Sequence, residues 1–509
     1  MRQVLQFLKP YFVCFCWLGL SAVSGAFPAV TKTQDTTVDS SAMTLGSTAP
    51  YGYAINGLSF QQEVLWTYNG WQYITYYNGS RYVCVGRRQL PSGSWQIIEL
   101  TDYTISTTTD AHNVVTMGIC PNDGTIHLSF DHHGQELNYR VSQVGAATNP
   151  GSITWNASLF GSVRIYLESG KTYPTVTYPR FWTTPDGNMQ FGYRIDSSGN
   201  GDWAMVDYNA ATGQWSNTRT VISRTGSYID SQGSNTIRNP YMNTLAYGPD
   251  GTLHATWTWR ESAGGANHDI LYAYSTDGGY TWYNNNPPPA LLRIGTVNTP
   301  LQGILRFSGL TEGPQIVGDT SIPQLIYLNS PGIRVVKLDR DWGLMNQQAQ
   351  AIDPQGRVHI VMFHCTPEMY QGYSWSIWGP VGARRYFHYW RDLQGVWHRN
   401  QLPGYVGSRP KIFIRANGDA FVIYQSWQTV SLTSTEIYIT SGNLVIQAAT
   451  AATQWTDWQI IRTETGPFLN EMLGDPFRFQ QGVLSVMVQN SPSSVGASTP
   501  LRVLDFQLQ

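Results

Sequence analysis

One pattern recurs along most of this chain and constrains its fold more than any other feature. A turn containing glycine is followed by a short apolar strand in PNDGTIHLSFDHH (from Pro121), PDGNMQFGYRID (from Pro185), PDGTLHATWTWRE (from Pro249), PQGRVHIVMFHC (from Pro354) and ANGDAFVIYQSW (from Ala416). Another strand usually precedes each turn, and a third often follows. Strand-turn-strand units at such intervals, without helical periodicity between them, are typical of propeller blades. We therefore predict an all-β fold, a seven-bladed β-propeller.

The ends of the chain and one internal stretch do not follow the repeat. Residues 1–25 contain basic residues, an apolar run from Tyr11 to Val23 and small residues near Gly25, which is the layout of a secretory signal peptide. Residues 26–509 are predicted to form a single propeller domain, with an insertion at about 287–343, where the connection is longer than blades need. We expect a secreted, extracellular monomer.

The composition excludes some partners and favours others. Charged residues make up 13% of the chain, aromatic residues also 13%, and the net charge is −2. Without basic runs there is no electrostatic footprint for nucleic acid, and no segment after the leader is apolar enough to span a membrane. Abundant tryptophan and tyrosine in a secreted chain suit sugar binding, although large β-proteins also use these residues in their cores.

Cysteines and glycosylation sequons give weaker signals. Two of the five cysteines lie in the leader, which leaves Cys84, Cys120 and Cys365. One disulfide can form, and we favour Cys84 with Cys120. Asn78 in NGS and Asn156 in NAS fit the glycosylation acceptor pattern.

One unit carries a sharper structural motif. STDGGYTW, from Ser275 to Trp282, fits the Asp-box pattern of sialidase-like propellers. In that pattern the aspartate and glycines shape a hairpin turn, and the tryptophan packs between strands, so the motif supports the fold and says little about chemistry. His127 and His254, each within a DGT-x-H phrase, are assigned to the blade repeat for the same reason.

Polar side chains recur where strands of neighbouring predicted blades end. They are His112, Asn113, His132, His133, Tyr178, Arg180, Arg194, Trp259 and Arg260. Innermost strands line the central funnel of a propeller, so residues at their ends can face one pocket. By strand alternation His133 shares a face with polar Ser129 and Asp131, which favours His133 over its neighbour His132 as the pocket residue.

Histidine, tyrosine and arginine without an evident carboxylate pair favour one reaction class. A glycoside hydrolase normally needs two Asp or Glu residues about the scissile bond. In β-elimination on a uronate, a cation such as Arg194 first neutralises the carboxylate, which makes the C5 proton removable. A histidine or tyrosine can then remove that proton, and a neighbouring acid protonates the leaving O4.

Three phrases resemble a known group of proteins. WQYITYYNGSRYVCVGRR, DAHN and GTIHLSFDHHGQELNYRVS are similar to the BNR-4 group of seven-bladed propellers. That group includes bacterial ulvan lyases and the fungal L-rhamnose-α-1,4-D-glucuronate lyases that trim gum arabic side chains. The resemblance covers nearly the whole mature chain, and the DHH phrase with the preceding HN is its most specific part.

The resemblance implies roles for individual residues. The active-site positions of the group match His112, His133, Tyr178 and Arg194, with histidine and tyrosine sharing the acid and base roles and arginine holding the carboxylate. The other strand-end residues are expected to bind substrate: Asn113, His132, Arg180, Trp259 and Arg260. No cofactor is expected for the chemistry. Some relatives hold calcium in the channel and others carry zinc, so a structural calcium ion is implied, although no motif here identifies its ligands.

The expected partner is a uronate-containing polysaccharide. The leader favours the fungal enzyme, which releases rhamnose from gum arabic arabinogalactan, over the alternative, an ulvan lyase. Two other classes stay open. The Asp-box suggests a sialidase-like glycoside hydrolase, although the F-R-I-P phrase of such enzymes is missing. A non-catalytic carbohydrate-binding propeller would use the same aromatic and arginine residues but would not need a proton-transfer pair.

Overall fold

The structure, a computed structural model, is built almost entirely of antiparallel strands. It describes residues 27, 29–47, 52–230, 233–262, 265–285, 291–292, 304–305, 325–328, 330, 332–340, 342–366, 381–426, 429–432 and 437–509, so the predicted leader lies outside the described residues. The all-β prediction is confirmed. Within these ranges no helix has the length and apolar character needed to cross a lipid bilayer.

The strands form successive sheets, which we call blades 1 to 7. Blade 1 comprises the strands Leu65–Tyr68, Trp71–Tyr77, Tyr82–Gln89 and Gln96–Thr104, and blade 2 comprises Val115–Ile119, Ile126–Phe130 and Tyr139–Val141. Blade 3 comprises Val176–Thr183, Met189–Ile195, Trp203–Asn209 and Gln214–Ile222, with His133–Gln135 at its edge. Blade 4 comprises Asn239–Tyr247, Leu253–Arg260, Asn267–Ser275 and Arg334–Val336. Blade 5 comprises Ala349–Ile352, Val358–His364, Arg385–Arg391 and Trp397–Gln401.

Blades 6 and 7 share one strand. Their strands are Lys411–Ile414, Ala420–Gln425, Ile437–Ala449, Gln459–Gly474, Val483–Asn490, Thr499–Leu508 and Val30–Ala42. The beginning of Gln459–Gly474 is the outer strand of blade 6, and its end is the inner strand of blade 7. Smaller elements are the strands Thr225–Asp230, Gly233–Ile237, Leu291–Leu292, Ile304–Leu305 and Thr429–Leu432, the α-helix Pro476–Gln480, and the 3-10 helices Ser59–Gln61, Pro150–Ser152, Ala157–Leu159, Val381–Ala383 and Ala451–Thr453.

The first strand of each blade is its inner strand, and the inner strands of most neighbouring blades contact one another. Between blades 3 and 4 the buried Arg180 donates hydrogen bonds to the carbonyls of Met242 (2.9 Å) and Asn243 (2.7 Å). The 3-10 helix Ser59–Gln61 lies against these inner strands, because Gln61 donates to the carbonyl of Val115 in blade 2 (2.8 Å). The helix therefore lies near the centre of the ring, in contact with residues of several blades.

Glycine conformation explains the repeat seen in the sequence. Each predicted turn has its glycine at positive φ, between 69° and 89°, at Gly124, Gly187, Gly251, Gly356 and Gly418. Only glycine adopts this backbone conformation without a steric penalty, so the turn glycine sets the return between the first and second strands of a blade. This part of the fold prediction is confirmed.

The ring is closed by strands from both ends of the chain. Val30–Ala42 pairs with Thr499–Leu508 as the outer strand of blade 7. Arg88 of blade 1 donates to Asp505 of blade 7 at 2.7 Å, and both side chains are almost fully buried. The N-cap Asp475 also accepts hydrogen bonds from Thr67 and Gln72 of blade 1. Blades 7 and 1 are thus joined by buried charged and polar groups.

Removing one member of the buried pair is expected to destabilise the ring. Arg88→Met leaves the Asp505 carboxylate buried without its main cation, and we expect a loss of about 3–5 kcal/mol in the free energy of unfolding, measured by urea denaturation. The control is Arg502→Met, whose ion pair with Asp35 is partly exposed and should contribute about 0–1 kcal/mol. Equal small losses in both variants would contradict this role for Arg88.

The predicted disulfide is wrong. Cys84 and Cys120 are free thiols, and all three remaining cysteines, with Cys365, are buried. Cys84 packs among apolar residues between blades 7 and 1, whereas Cys120 lies in the separate core of blades 2 and 3. These cysteines act as small apolar side chains in different cores.

The two sequons differ in their surroundings. Asn78 is 5% exposed, and its amide nitrogen donates to Glu99 at 3.1 Å, so that nitrogen is not available to a glycan in this fold. Asn156 is exposed and caps a 3-10 helix through its oxygen. Glycosylation at Asn156 stays a prediction.

The predicted insertion contains part of a blade. Arg334–Val336, near its end, is the outer strand of blade 4 and pairs with Asn267–Ser275. The segment that separates this strand from its partner contains Leu291–Leu292 paired with Ile304–Leu305, and most of its other residues lie outside the described ranges. The long connection therefore interrupts a blade between its third and fourth strands.

Candidate active site

Side chains from blades 2, 3 and 4 meet at one mouth of the central channel. Inner strands begin at this mouth and second strands end there, whereas the glycine turns lie at the opposite mouth. We call the residues that meet there the site cluster: Asp110, His112, His133, Tyr178, Arg194 and Tyr241. The structure thus brings together the four predicted catalytic residues, and adds Asp110 and Tyr241, which the sequence analysis did not include.

A single carboxylate binds both histidines. Asp110 Oδ1 lies 2.6 Å from His112 Nδ1, and Asp110 Oδ2 lies 2.6 Å from His133 Nδ1. The two imidazole rings are stacked, with centroids 3.9 Å apart and planes within 17°. Phe60 stacks against His112 at 5.3 Å. The histidines are therefore a rigid pair rather than two independent side chains.

The environment keeps His112 neutral and Asp110 ionised. Burial lowers the pKa of His112 to about 4, against an opposing effect of Asp110, while His133 and Arg409 add to the lowering. Burial would raise the pKa of Asp110, but its hydrogen bonds to the two histidines hold it well below the usual range. Nδ1 of each ring therefore carries the proton that a carboxylate accepts, which leaves Nε2 as the basic nitrogen.

These three residues have the composition of a metal site but not its geometry. Within the described ranges, Asp110, His112 and His133 form the group of three His, Cys, Asp or Glu residues whose ligand atoms lie within 4.8 Å of one another. The lone pair of an imidazole nitrogen lies in the plane of its ring, and the two stacked planes do not converge on a point near both Nδ1 atoms. The arrangement suits proton sharing through Asp110 and not a shared metal ion.

The backbone directs Tyr178 into the cluster. Tyr178 has φ = 55° and lies in a bulge, because Thr177 pairs with Arg194 and Arg180 pairs with Gly192. A tyrosine rarely adopts this conformation, and such outliers concentrate at functional sites. The ring lies 5.9 Å from His112, and the hydroxyl is 3.2 Å from Ser198 Oγ.

Arg194 supplies a buried positive charge. It is 1% exposed, and its guanidinium carbon lies 3.9 Å from the centre of the Tyr241 ring and 5.7 Å from that of Tyr178. One terminal nitrogen donates to the carbonyl of Pro240. Nε and Nη1 have no hydrogen-bond partner among the residues that the structure describes. Buried donors without partners are costly, so this guanidinium is set up to receive an anionic ligand.

Tyr241 is the second phenol of the cluster. Its hydroxyl accepts from the Gly199 N–H at 2.7 Å and lies 3.1 Å from Ser198 Oγ. Burial would raise its pKa, but the positive charges of Arg194 and Arg260 and these hydrogen bonds together bring the pKa below the usual value. Arg260 lies further from the ring, at 5.7 Å. Tyr241 is thus the phenol most affected by the arginines.

Four predicted substrate-binding residues have structural contacts. Asn113 donates to Asp131 (2.6 Å), His132 is fully buried and accepts from the backbone of Asn138 (2.7 Å), and Arg180 joins blades 3 and 4 as described above. Trp259 is 1% exposed in the core of blade 4. These contacts give Asn113, His132, Arg180 and Trp259 structural roles, and Arg260 lies at the edge of the cluster. Substrate binding by these five residues stays a prediction.

The channel below the cluster contains a second group of charges. Arg409, beside Phe60 at 5.2 Å, donates two hydrogen bonds to Glu471, at 2.6 and 2.8 Å. Deeper, burial raises the pKa of Glu63 to about 7 and lowers that of Lys411 to about 7. Calcium takes about six to eight oxygen ligands, often several carboxylates. Here the carboxylate of Glu63 is near the cations of Arg180 and Lys411, so these residues do not fit the implied calcium ion.

The cluster offers proton transfer and anion binding. The histidine pair presents a basic nitrogen, and Tyr178 presents a hydroxyl. Arg194 presents donors that have no partner within the part of the chain that the structure describes. Both oxygens of Asp110 accept from histidine, so Asp110 is not arranged as one of two carboxylates flanking a glycosidic bond. This combination suits removal of a proton next to a carboxylate.

Comparison with known proteins identifies relatives of the chain. The model of a BNR repeat-containing family matches residues 71–404. The long-isoform ulvan lyase of Pseudoalteromonas sp. (strain PLSV) is 25% identical over 278 residues, which are 46% of this chain and 27% of that protein. The ulvan lyase of an Alteromonas sp. is 24% identical over 277 residues, with the same coverage. The match thus spans about a quarter of the length of these curated relatives.

Solved structures share the fold over nearly the whole chain. Polysaccharide lyase Uly1 aligns with a TM-score of 0.64 and 16% identity, covering 94% of this chain and all of that one. A PL25 ulvan lyase aligns with a TM-score of 0.59 and 11% identity, covering 93% and 96%. A structure of such an enzyme bound to -[GlcA(1-4)Rha3S]- gives a TM-score of 0.56, with 11% identity and the same coverage. These likenesses establish the propeller fold.

Proposed function

The chain belongs to the BNR repeat-containing family, and from this membership and the geometry of the cluster we propose that it is a polysaccharide lyase. The reaction is β-elimination at a glucuronate whose O4 carries the next sugar. The observation that carries the proposal is Arg194, a buried guanidinium beside two phenols, with two nitrogens that have no partner among the described residues. One of these phenols, Tyr178, lies next to His112 of the histidine pair.

The chemistry assigns a task to each group. The uronate carboxylate binds the guanidinium of Arg194, which stabilises the negative charge that develops when the C5 proton leaves. The base is a histidine of the pair, because hydrogen bonding of Nδ1 to Asp110 leaves Nε2 unprotonated. Tyr178 gives its phenolic proton to O4 as the C4–O4 bond breaks, and the products are an unsaturated uronate and a free hydroxyl on the leaving sugar.

For the substrate, we propose ulvan ahead of gum arabic arabinogalactan. Both contain rhamnose linked to O4 of glucuronate, so the same cluster serves either. The curated relatives are ulvan lyases, and one structural neighbour contains a bound -[GlcA(1-4)Rha3S]- unit. We propose that the protein acts outside the cell, where it would encounter the polysaccharide.

The test is a time course of ultraviolet absorbance with four substrates: ulvan, gum arabic, pectin and a sialoside. We expect rising absorbance from unsaturated uronate with ulvan. If the absorbance rose with gum arabic alone and free rhamnose were released, the protein would still be a lyase, but its substrate would be gum arabic. Reducing sugar without new absorbance would identify a hydrolase, and binding to ulvan without any product would identify a carbohydrate-binding propeller. Either of the last two results overturns the proposal.

A further inference from the structure

Asp110 stands in an unusual position between two catalytic candidates. It is the first residue of the DAHN phrase, and it lies in a turn in which its backbone N–H donates to Thr107 Oγ1 at 3.1 Å. Oδ1 also accepts from the backbone N–H of His112 at 2.9 Å, in addition to His112 Nδ1. The turn therefore holds the carboxylate in place before either histidine ring binds it.

We propose that Asp110 is the positioning residue of the site: its two oxygens hold His112 and His133 in one shared tautomer, in which Nε2 of each ring is the basic nitrogen. The proposal deepens the proposed function and rests on it for its kinetic consequence. Its structural part concerns the tautomers alone and can be tested without any substrate.

The two rings need a common acceptor because of how they are packed. They are stacked at 3.9 Å, so their Nδ1 atoms face the same side, and each donates to its own oxygen of the one carboxylate. His133 Nε2 is buried and has no hydrogen-bond partner within the described residues. A buried nitrogen left without a partner is costly unless a ligand completes it.

An amide cannot replace this carboxylate. A carboxylate accepts a proton from each ring, but an asparagine has one accepting oxygen, and its NH2 group only donates. In Asp110→Asn, one ring keeps Nδ1–H and the other must turn Nδ1 into an acceptor, which moves its proton to Nε2. One of the two basic nitrogens is then lost, while the shape of the site is almost unchanged.

Removal of the carboxylate also changes the pKa of His112. Among the described residues, the titratable groups that face His112 include Asp110, His133, Arg409 and Tyr178. Of these, the carboxylate favours the protonated ring, whereas His133 and Arg409 oppose it. Without the carboxylate, the imidazolium form becomes less stable and its pKa falls. The neutral, basic form then persists to lower pH.

The first measurement is nitrogen NMR of the full-length protein labelled in histidine, in the wild type, Asp110→Asn, and a control, Asp392→Asn. Asp392 also pairs with a histidine, His398 at 2.9 Å, but at a distant turn of blade 5. We expect the Nδ1–H tautomer for both His112 and His133 in the wild type and in the control, and an Nε2–H signal from one of them in Asp110→Asn. A wild type in which the two rings already differ in tautomer would overturn the proposal.

The second measurement is the pH profile of ulvan cleavage. We expect kcat to fall about 100-fold or more in Asp110→Asn with KM little changed, and the acid limb of kcat/KM to move to lower pH. Asp110→Glu, which keeps two accepting oxygens, should recover part of the activity and the wild-type tautomers. If Asp110→Asn lost activity with unchanged tautomers and an unmoved limb, Asp110 would be merely structural. A wild type inactive on every polysaccharide would refute the proposed function, while the tautomer result would still decide the role of Asp110.

Discussion

Tyr178→Phe is expected to lower kcat by about 1,000-fold while the protein still binds its polysaccharide. The substitution removes the one hydroxyl that donates the proton to O4 in the proposed mechanism, and it keeps the ring that contacts Phe60 at 5.4 Å and Arg194 at 5.7 Å. Ultraviolet assays measure turnover, and isothermal titration with a short ulvan oligosaccharide measures binding.

Tyr193→Phe is the matched control for this experiment. Tyr193 lies in the same blade, immediately before Arg194, but packs in the core beside Tyr173 at 5.9 Å. It should keep wild-type turnover. If Tyr178→Phe cleaved as fast as this control, the leaving group would have to be protonated by a histidine or by water, and the assignment of the acid would be wrong.

The sequence predicted the blades because their determinants are local. A glycine with positive φ, and the strand that follows it, can be recognised within a dozen residues. The closure of the ring could not be found in this way. Val30–Ala42 lies more than 450 residues from its partner Thr499–Leu508, and nothing in an alternating strand specifies which distant edge it will join.

The prediction selected the histidine that lies in the site cluster, but for an incomplete reason. Alternation along the strand selected His133, and the structure places His133 in the cluster with His132 buried elsewhere. However, Asp131 has φ = 62°, so the strand ends before both histidines and strict alternation does not extend to them. The fixed position of Asp131, which accepts hydrogen bonds from Tyr103 and Ser106, directs the following backbone.

Comparison of equivalent blade positions would have improved the choice of residues. Tyr178 and Tyr241 are each the third residue of an inner strand, in blades 3 and 4, so the argument that selected the first also applies to the second. Likewise, adjacent strand residues point to opposite faces, and a pocket-facing Arg260 places Trp259 in the core. Phe60 had no such signal, because its 3-10 helix lies outside the repeat.

Arg194→Met is expected to lower kcat/KM by about 100- to 1,000-fold, since no other donor takes over the uronate carboxylate in the proposed mechanism. It should also raise the pKa of Tyr241, because the guanidinium lies 3.9 Å from that ring and opposes the effect of burial. Tyrosinate absorbance measured against pH reports this second effect without substrate. The wild type should show one tyrosinate forming before the others, and that early step should move to higher pH in the variant.

Arg260→Met compares the two arginines in their effects on the pKa of Tyr241 and on kcat/KM. Arg260 also lowers the pKa of Tyr241, but from 5.7 Å, so its removal should shift the early tyrosinate step less than removal of Arg194 does. Its effect on kcat/KM should also be smaller. Equal losses of activity in the two variants would mean that both arginines hold the carboxylate. If Arg194→Met stayed active while its early tyrosinate step shifted, the effect of Arg194 on the pKa of Tyr241 would not be needed for catalysis. The cation that neutralises the uronate would then have to be Arg260.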